Sequence, residues 1–548
     1  MKRRHFLKGA AATPLLAGAH SWASNPMGSF DHGIASGDPD ETSVVLWTRI
    51  SGFVTPVDVV WQVALDDSFV SVVASGSETT SELIDFTVKV IATGLTSGVR
   101  YFYRFICGDT VSEVGQTQTL PVGALETLGL AIASCSNYPF GYFNAYEAIA
   151  EDEAIDFVLH LGDYIYEYAA TGWGAEAGLS LNRAHRPITE IVTLTDYRER
   201  HAQYKSDPDS RKMHAAKPLL LVWDDHESAN NPWVGGAQNH QSPAEGRWID
   251  RRAASIRAYY EWMPIREPKI GEERRALWRS YRFGNLAQLI TLETRHTARA
   301  KQIDYADYLD IINSQKDADE FVTNVLNAPG REMLSTDMKQ FLSDELSQSV
   351  EQSIPWRLIG NAIPMAKTPV PNLAEKGFEM PTISGSVPGV SADLIWKGRW
   401  NLPFYPDTWD GYPWAREKFY ELCQRVGAED LLVLTGDSHS FWANYLRDQS
   451  GNSMGLEIGT AGITSPGDFV EQGFDTETAH KIDLAFMEFA PDIHWTTNLH
   501  QGYVRLCLNK DYVDADYMAV STVFSKDYLV TRIHNERIAH SGQHLDFL

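Results

Sequence analysis

The chain has few cysteines and no long apolar run. Its 548 residues include only four cysteines, and no two of them form a CxxC pair. That number is small for a protein stabilised by disulfides, although a bond between two of Cys107, Cys423 and Cys507 remains open. No segment approaches the roughly 18 consecutive apolar residues that span a bilayer. The sequence therefore predicts neither a disulfide scaffold nor a transmembrane anchor.

Positive charge is also scarce. The chain carries 47 Lys and Arg against 72 Asp and Glu, a formal net charge of −25 at pH 7. Such an acidic surface repels the phosphate backbone of nucleic acids, so nucleic-acid binding through a basic face is not expected. The acidity fits a calcium-rich setting, because carboxylates are calcium ligands. The length and the 43% hydrophobic content are those of a soluble globular protein with two or more domains.

The first 23 residues differ from the rest, because they contain four cations and no acid. Arg3-Arg4-His5-Phe6-Leu7-Lys8, followed by a short and weakly apolar stretch, is typical of a twin-arginine signal. Cleavage is expected after Ala23, so residues 1–23 form the signal. We therefore expect export by the twin-arginine machinery to the periplasm or the medium. The alternative is a basic N-terminus that forms an amphipathic helix by chance.

Two regions of different periodicity follow the signal. Between residues 28 and 120, short β-branched and aromatic runs alternate every other residue between turns, which predicts a small immunoglobulin- or fibronectin-type sandwich. From 126 to 548, strands and helices alternate, which predicts a layered α/β domain. The expected helices cover 144–152, 195–204 with Thr195 as cap, 244–262, 337–346 after Ser335, and 414–426. Residues 364–408 are rich in Pro and Gly and are expected to form long active-site loops.

Four of the predicted strands, 128–133, 157–161, 219–223 and 431–434, end in side chains that bind metals or transfer protons. The segments that follow them are Ser134-Cys135-Ser136-Asn137, Gly162-Asp163-Tyr164-Ile165-Tyr166, Asp224-Asp225-His226-Glu227 and Gly436-Asp437-Ser438-His439. Side chains at the tips of separate strands gather into one site in an α/β sheet. The set therefore predicts metal-dependent hydrolysis.

The pair Asp163 and Tyr166 is the most specific of these signals. A carboxylate and a phenolate three residues apart can face one hard, highly charged ion, and phenolate ligation favours ferric iron. A surface turn with a packed tyrosine is the alternative. Cys135 as a thiolate would complete the iron site, and its alternative is a small buried core residue.

The other two strand tips carry a carboxylate beside an imidazole. Asp225 and His226 supply a ligand and a proton donor, unless they form a buried ion pair at the end of a strand. Asp437 and His439 are expected to alternate along an extended segment, so that two side chains on one face serve two adjacent metals.

These tips, in this order, resemble the calcineurin-like metallophosphatases and specifically the PhoD-like alkaline phosphatase/phosphodiesterase family. The resemblance implies two mixed β-sheets flanked by helices, preceded by a small all-β domain. Further similar motifs cover nearly all of the chain after residue 23, namely GIASGDP (33–39), VLWTR (45–49), HRP (185–187), YKSDP (204–208), WDDHE (223–227), GN (360–361), WDGYP (409–413) and TSPG (464–467).

A mixed iron–calcium centre is implied by the resemblance. Fe3+ would be held by the thiolate, carboxylate, phenolate and imidazole of Cys135, Asp163, Tyr166 and His439. Asp163 would bridge to a Ca2+ held also by Asp225 and Asp437.

Four further residues take roles from the same resemblance. His226 matches the histidine that contacts the phosphate or the leaving group, and Asn230 and Asn231 are assigned to substrate binding or to a further calcium ligand. Arg295 is assigned to phosphate binding, and its alternative is a surface ion pair. The chain has Glu293 where the family motif D-T-R has aspartate, so the position of Arg295 depends on where this longer carboxylate lies.

The implied chemistry is in-line attack on a phosphate ester by a hydroxide activated at the two metals. His226 would stabilise the transition state or protonate the leaving oxygen. The serines of the strand tips, Ser134, Ser136 and Ser438, are interpreted as turn residues, because no covalent nucleophile is needed.

Three alternatives to this function stay open. The first is a phospholipase D-like phosphodiesterase for lipid or teichoic-acid-type substrates. Its apolar wall would be Phe441, Trp442, Trp409 and Trp414, unless these rings pack in the core. The second is a thiol enzyme with Cys135 as nucleophile. The third is a non-catalytic exported binding module with the β-domain as its platform.

Overall fold

The computed structural model describes residues 28–379 and 390–548. The predicted twin-arginine signal, residues 1–23, lies outside this described part. Among the described residues, no helix is both long enough and apolar enough to cross a membrane. The four cysteines are free, so the disulfide that the sequence left open is not formed.

The N-terminal region is built of strands only, apart from one short turn of helix. Three of its strands hydrogen-bond in the order β1, β2, β5, and the others form a second sheet in the order β4, β3, β6, β7, with β8 also on β6. Their bounds are β1 (Ile34–Gly37), β2 (Ser43–Arg49), β3 (Val57–Ala64), β4 (Val72–Thr80), β5 (Thr87–Thr93), β6 (Arg100–Cys107), β7 (Thr110–Val111) and β8 (Gly115–Gln118).

The remaining strands belong to two large sheets and one small hairpin. They are β9 (Leu128–Ala133), β10 (Phe157–His160), β11 (Leu219–Leu221), β12 (Pro232–Trp233), β13 (Gly236–Ala237), β14 (Ser280–Phe283), β15 (Ala287–Thr291), β16 (Trp356–Asn361), β17 (Leu431–Thr435), β18 (Phe441–Arg447), β19 (Ser453–Gly459), β20 (Ile493–Thr497), β21 (Gln501–Leu508), β22 (Val513–Val520), β23 (Val530–Ser541) and β24 (His544–Phe547). The larger sheet has the order β24-β23-β22-β21-β9-β10-β11-β1-β2-β5, and the second has the order β14-β15-β16-β17-β19-β18-β20. Both mix parallel and antiparallel pairs.

Helices connect and cover these sheets. They are α1 (Asn144–Glu151), α2 (Ala175–Ser180), α3 (Leu194–Lys205), α4 (Pro208–Ala216), α5 (Trp248–Trp262), α6 (Gln315–Phe321), α7 (Thr336–Glu351), α8 (Val390–Trp400), α9 (Pro413–Val426), α10 (Asp468–Glu471) and α11 (Thr476–Phe489).

The two large sheets pack face to face. Along β9, Leu130 and Ile132 point into the core between the sheets, whereas Ala131 and Ala133 point to the outer helices. On the second sheet, Leu432 lies in the inter-sheet core and Leu431 packs against α7 and α9. This period-two alternation, apolar on both faces, is what a strand buried between two layers requires. The result is the expected layered α/β sandwich of two mixed sheets with helices outside.

The all-β region is joined to the larger sheet by hydrogen bonds. Gly37 of β1 is in parallel register with Leu219 of β11, and the backbone N–H of Asp38 donates to the Leu219 carbonyl at 2.9 Å. A Cβ at Gly37 would lie 2.7 Å from the carbonyl oxygens of both Leu219 and Pro264, so only glycine permits this approach. The N-terminal strands therefore extend the large sheet rather than hang from a free linker.

Several local expectations need correction. The third helix is capped by Thr193, whose side chain and that of Asp196 form a capping box, and not by Thr195. The helix expected over 244–262 begins at Trp248. The segment 364–408 is not loop throughout, because it contains α8.

Candidate active site

The four strand tips that the sequence singled out meet at one end of the two facing sheets. β9, β10 and β11 are adjacent and parallel in the larger sheet, and β17 is parallel to its neighbours in the second sheet. Since the carboxyl ends of parallel strands share one edge of a sheet, their following turns converge. Three groups of potential metal-binding side chains lie there, with the ligand atoms of each group within 4.8 Å of one another: Cys135, Asp163 and His439; Asp163, Asp225 and His226; Asp224, Asp225 and Asp437.

The first group brings together the side chains assigned to iron. The Cys135 sulfur lies 3.5 Å from Oδ2 of Asp163, and the Tyr166 hydroxyl donates to the same oxygen at 3.2 Å. His439 completes the group from the opposite sheet. Tyr166 also contacts the hydroxyl of Ser465 at 3.0 Å, so a thiol, a carboxyl, a phenol and an imidazole converge on one point.

The backbone at these tips is strained. Cys135, Asp163, Asp437 and His439 all have positive φ, between 51° and 65°, which costs a residue with a Cβ about 1–3 kcal/mol. The expected extended segment through Asp437 and His439 is therefore wrong. A left-handed turn, not strand alternation, directs the two side chains to neighbouring groups.

The acid cluster contains a carboxylate that the sequence analysis did not assign. Asp224 stands beside Asp225, and its ligand oxygen lies close to those of Asp225 and Asp437. The only signal for Asp224 in the sequence is its position in the tip that follows β11.

Arg295 lies inside this acid cluster and is fully buried. Its Nε donates to Oδ1 of Asp224 at 2.5 Å, and its Nη2 donates to Oδ1 of Asp437 at 3.1 Å. Glu293 does not touch the guanidinium. It accepts hydrogen bonds from the backbone N–H groups of Arg295 and His296 at 2.9 and 2.7 Å. The longer carboxylate thus holds the turn that carries Arg295.

Two further buried glutamates hold the tips in place. Glu227 accepts the backbone N–H groups of Tyr164 at 2.7 Å, Asp224 at 2.9 Å and Asp163 at 3.1 Å, and so ties the β10 tip to the β11 tip. Glu167 accepts Nδ1–H of His226 at 2.6 Å. Sequence reasoning missed both roles, because nothing in the sequence shows which backbone donors a carboxylate will meet.

Asn230 and Asn231 approach the site through their backbones. The N–H of Asn231 donates to Oδ2 of Asp225 at 2.8 Å, and the N–H of Asn230 donates to Glu167 at 2.7 Å. Both side-chain amides donate to Gln238 instead, at 2.9 and 3.1 Å. The hydrogen bonds of these two residues to the acids of the site are therefore made by their backbone N–H groups.

Negative charge dominates the electrostatics of the centre. Burial first, and then the charges of Asp225 and Asp224, raise the pKa of Asp163 well above its usual range. Burial and Asp224 do the same to the pKa of Asp437. Burial and Asp163 also raise the pKa of the Cys135 thiol. The acids repel one another, and the thiol keeps its proton, as long as no added cation compensates them.

The two histidines of the centre are in opposite electrostatic settings. Burial lowers the pKa of His439 to about 3, so its ring is neutral, as a metal ligand must be. Burial also acts to lower the pKa of His226, but the negative charges of Asp225 and Glu167 outweigh it and raise the value to about 9. The negative charges around His226 therefore favour its protonated form.

The donors present fit bound cations. Oδ2 of Asp224 and Oδ1 of Asp225 are buried and have no hydrogen-bond partner, an arrangement that is unfavourable unless a positive charge meets them. A metal ion would stabilise the thiolate of Cys135 and the phenolate of Tyr166, which burial otherwise disfavours. The mixed sulfur, nitrogen and oxygen donors suit a transition metal, and the carboxylate cluster suits a hard divalent ion.

Aromatic rings and a cavity border the centre. The Trp173 ring lies 5.5 Å from the His439 ring and 5.6 Å from the Tyr166 ring. On the acid side opens a cavity of about 1010 Å3, whose wall includes Asn231 and Asp407. Oδ2 of Asp407 is 3.9 Å from Nη1 of Arg295, so the cavity begins next to the acid cluster.

The rings suggested as an apolar wall for a lipid substrate pack in the interior, although Nε1–H of Trp442 donates to the Ser438 hydroxyl of a strand tip at 2.9 Å. Phe441, Trp442 and Trp409 are at most 2% exposed and belong to three different hydrophobic clusters of the interior. Trp414 packs against one of these clusters. Phe441, Trp442 and Trp409 are therefore core residues, and Trp414 is a partly buried ring at the edge of the core.

The layered sheets, with an acid-rich centre between their strand ends, define an α/β sandwich of the metallophosphatase class. Comparison with known proteins agrees. Residues 130–517 match the family model described as PhoD-like phosphatase, and residues 17–121 match that of its N-terminal domain. The chain therefore belongs to the PhoD-like phosphatase family and is a phosphoester hydrolase.

Individual relatives support this assignment. The chain is 34% identical over 514 residues to alkaline phosphatase D of Bacillus subtilis (strain 168), a match that covers 90% of this chain and 78% of that protein. It is also similar to a solved structure of PhoD, with a TM-score of 0.75 and 30% identity over 97% of this chain and 93% of the other.

Proposed function

We propose that the chain hydrolyses phosphate esters as an alkaline phosphatase/phosphodiesterase at an iron–calcium centre formed by the strand tips. Cys135, Asp163, Tyr166 and His439 would hold Fe3+, and Asp163 would bridge to Ca2+ on Asp225 and Asp437. The observation that carries the proposal is the sharing of ligands, because Asp163 belongs to both the thiol group and an acid group. Asp224 offers a further oxygen to the acid side.

When bound, the two ions would supply Lewis acidity to water and to the phosphoryl oxygens. The donor types support this choice of metals. Thiolate, phenolate and imidazole together favour iron, since a phenolate is a strong donor to the ferric ion. The acid side offers carboxylate oxygens, which are the ligands that Ca2+ prefers, and it offers no sulfur.

The chain itself would manage the protons and the charge of the phosphate. Water forms the new P–O bond, the ester P–O bond breaks, and its electron pair leaves on the alcohol oxygen. His226 gives that oxygen a proton and regains one from the solvent, while the attacking water releases its surplus proton. Nη1 of Arg295 is buried without a hydrogen-bond partner and would bind a phosphoryl oxygen.

The cavity beside the acid cluster favours phosphodiesterase activity. A cavity of about 1010 Å3 beside the acid cluster leaves room for the second organic group that a diester carries and a monoester lacks. The wall contains Lys301, Asp304 and Asp407 as well as Trp233 and Tyr305. With Trp396 and Phe404 also in the wall, the cavity can accommodate a second group that has both polar and apolar parts.

Export by the twin-arginine pathway is part of the same proposal and depends on the sequence of residues 1–23 alone. Replacement of Arg3 and Arg4 by lysine should retain the protein inside the cell. The control is the replacement of Lys8 by arginine, which should leave export unchanged. Export of the double lysine variant at the wild-type rate would contradict the proposal.

The decisive test of the function is hydrolysis of p-nitrophenyl and bis-p-nitrophenyl phosphate, with and without Ca2+ and chelator. We expect turnover that needs calcium, is lost on chelation, and is indifferent to thiol alkylation. Turnover that resists chelation and is lost on alkylation would favour the thiol enzyme. Folded protein that was never exposed to chelator and hydrolyses neither ester would favour the binding module.

A further inference from the structure

A buried carboxylate outside the assigned ligand set lies in direct contact with His226. Glu167 is fully buried, and its Oε2 lies 2.6 Å from Nδ1 of His226. A carboxylate can only accept at this distance, so Nδ1 of the imidazole carries the proton. The opposite nitrogen, Nε2, is turned to the acid cluster, 3.9 Å from Oδ1 of Asp225.

The second oxygen of Glu167 is held as firmly as the first. Oε1 accepts the backbone N–H of Asn230 at 2.7 Å and the side-chain amide of Asn239 at 2.8 Å. With three donors on two oxygens, the carboxylate cannot rotate without losing hydrogen bonds in the interior, where each loss is costly.

The imidazole ring is also fixed from its faces. The Tyr166 ring lies 4.2 Å from the His226 ring at an angle of 30°, and the Tyr168 ring lies 5.3 Å away. The ring plane is thus set by packing, while the identity of the protonated nitrogen is set by Glu167. Glu167 is not among the residues assigned as metal ligands, and its hydrogen bonds therefore indicate another role.

We propose that Glu167 is a positioning residue for His226, which it holds with Nδ1 protonated and Nε2 directed at the leaving oxygen of the ester. This inference rests on the proposed function, in which His226 protonates that oxygen. An oriented acid matters most when the leaving group is a poor one, because an acidic phenol departs without help from a proton whereas an alkyl alcohol does not.

The substitution Glu167→Gln tests this role by geometry. A glutamine offers one acceptor oxygen, and the Asn230 N–H next to Oε1 belongs to the backbone and cannot turn away. The amide oxygen must therefore take the Oε1 position, and its NH2 group then faces Nδ1 of His226. Nδ1 has to give up its proton, so the ring can no longer carry protons on both nitrogens. The neutral imidazole that remains has its only N–H at Nε2 and is a much weaker proton donor than the imidazolium.

The measurement compares two esters of the same phosphoryl group, one with p-nitrophenol and one with an alkyl alcohol as leaving group. We expect Glu167→Gln to lower kcat about 10²-fold for the alkyl ester and less than about tenfold for the nitrophenyl ester. The matched control is Glu190→Gln, since Glu190 pairs with Arg251 at 2.8 Å and does not contact His226. It should affect both esters equally and weakly.

A double-mutant cycle separates this inference from the proposed function. In the background of His226→Ala, Glu167→Gln should have no further effect on the alkyl ester, because its target is absent. An equal loss for both esters in Glu167→Gln would overturn the positioning role while leaving the function intact. An equal loss for both esters in His226→Ala would overturn the acid role of His226 itself.

Discussion

Glu227 accepts three backbone hydrogen bonds that tie the β10 tip to the β11 tip, and we call this arrangement the Glu227 clamp. A change of one atom in the side chain can break it. Glu227→Gln keeps the shape of the side chain but leaves one acceptor oxygen for three backbone donors. The oxygen that serves Asp163 and Asp224 accepts two N–H groups, at 3.1 and 2.9 Å, so the glutamine oxygen should stay there. Its NH2 group then faces the N–H of Tyr164, which Glu227 accepts at 2.7 Å.

The size of the effect follows from that single mismatch. One buried backbone donor without an acceptor costs about 1–3 kcal/mol of the free energy of unfolding. The groups that hold metal ligands in place typically contribute 10- to 100-fold to metal affinity. Because Glu227 positions both Asp163 and Asp224, we expect weaker retention of both metals, with catalysis restored in part by added iron and calcium.

The assay combines urea unfolding, followed by tryptophan fluorescence, with metal analysis after dialysis against chelator. The control is Glu345→Gln on the outer helix α7, where the carboxylate accepts the side-chain amide of Gln288. If Glu227→Gln unfolds at the same urea concentration as the wild type and retains as much metal, the clamp has no energetic role and the reasoning fails.

Three other predictions follow from the same contacts. Asp163→Asn, as well as His226→Ala, should lower turnover by at least about 10²-fold with an unchanged circular dichroism spectrum, and wild-type turnover in either variant would refute the site. Removal of bound metal by chelator should lower the thermal midpoint, because ions that bind only the folded state stabilise it; an unchanged midpoint would count against metal at this centre. Burial raises the pKa of Asp483 from 3.8 to about 7, so ionisation of this acid destabilises the folded state as pH rises above its unfolded pKa. In Asp483→Asn, the Asn498 amide can turn so that both hydrogen bonds are kept. We therefore expect urea unfolding to show a stabilisation of about 2–4 kcal/mol above pH 7 and hardly any below pH 4. An equal stabilisation at both pH values would contradict the pKa shift of Asp483.

The strand tips could be predicted from the sequence because their signals are local. A strand buried on both faces is a continuous apolar run, and the polar residues that end it mark where it leaves the sheet. β9 ends at Ala133 as expected, and Cys135 lies two residues further along the chain. The four tips converge because parallel strands present their carboxyl ends at one edge.

What the sequence did not reveal depends on contacts between distant segments. Glu227 and Glu167 act through backbone donors and a ring that only the folded chain brings near. The pairing of β1 with β11 joins residues about 180 positions apart, and strand alternation carries no information about partners. Either Thr193 or Thr195 satisfies the preference for threonine at a helix N-cap. Thr193 is the cap because its side chain accepts the N–H of Asp196 while the Asp196 side chain accepts the N–H of Thr193.

Metal analysis of the purified protein, together with its visible spectrum, tests the central claim most directly. We predict iron in equimolar amount and an absorption band from the phenolate of Tyr166, which should disappear in Tyr166→Phe. That substitution removes the donor oxygen and keeps the ring next to His226. Folded protein that never met a chelator and contains no iron, or a spectrum that Tyr166→Phe leaves unchanged, would contradict the proposed centre.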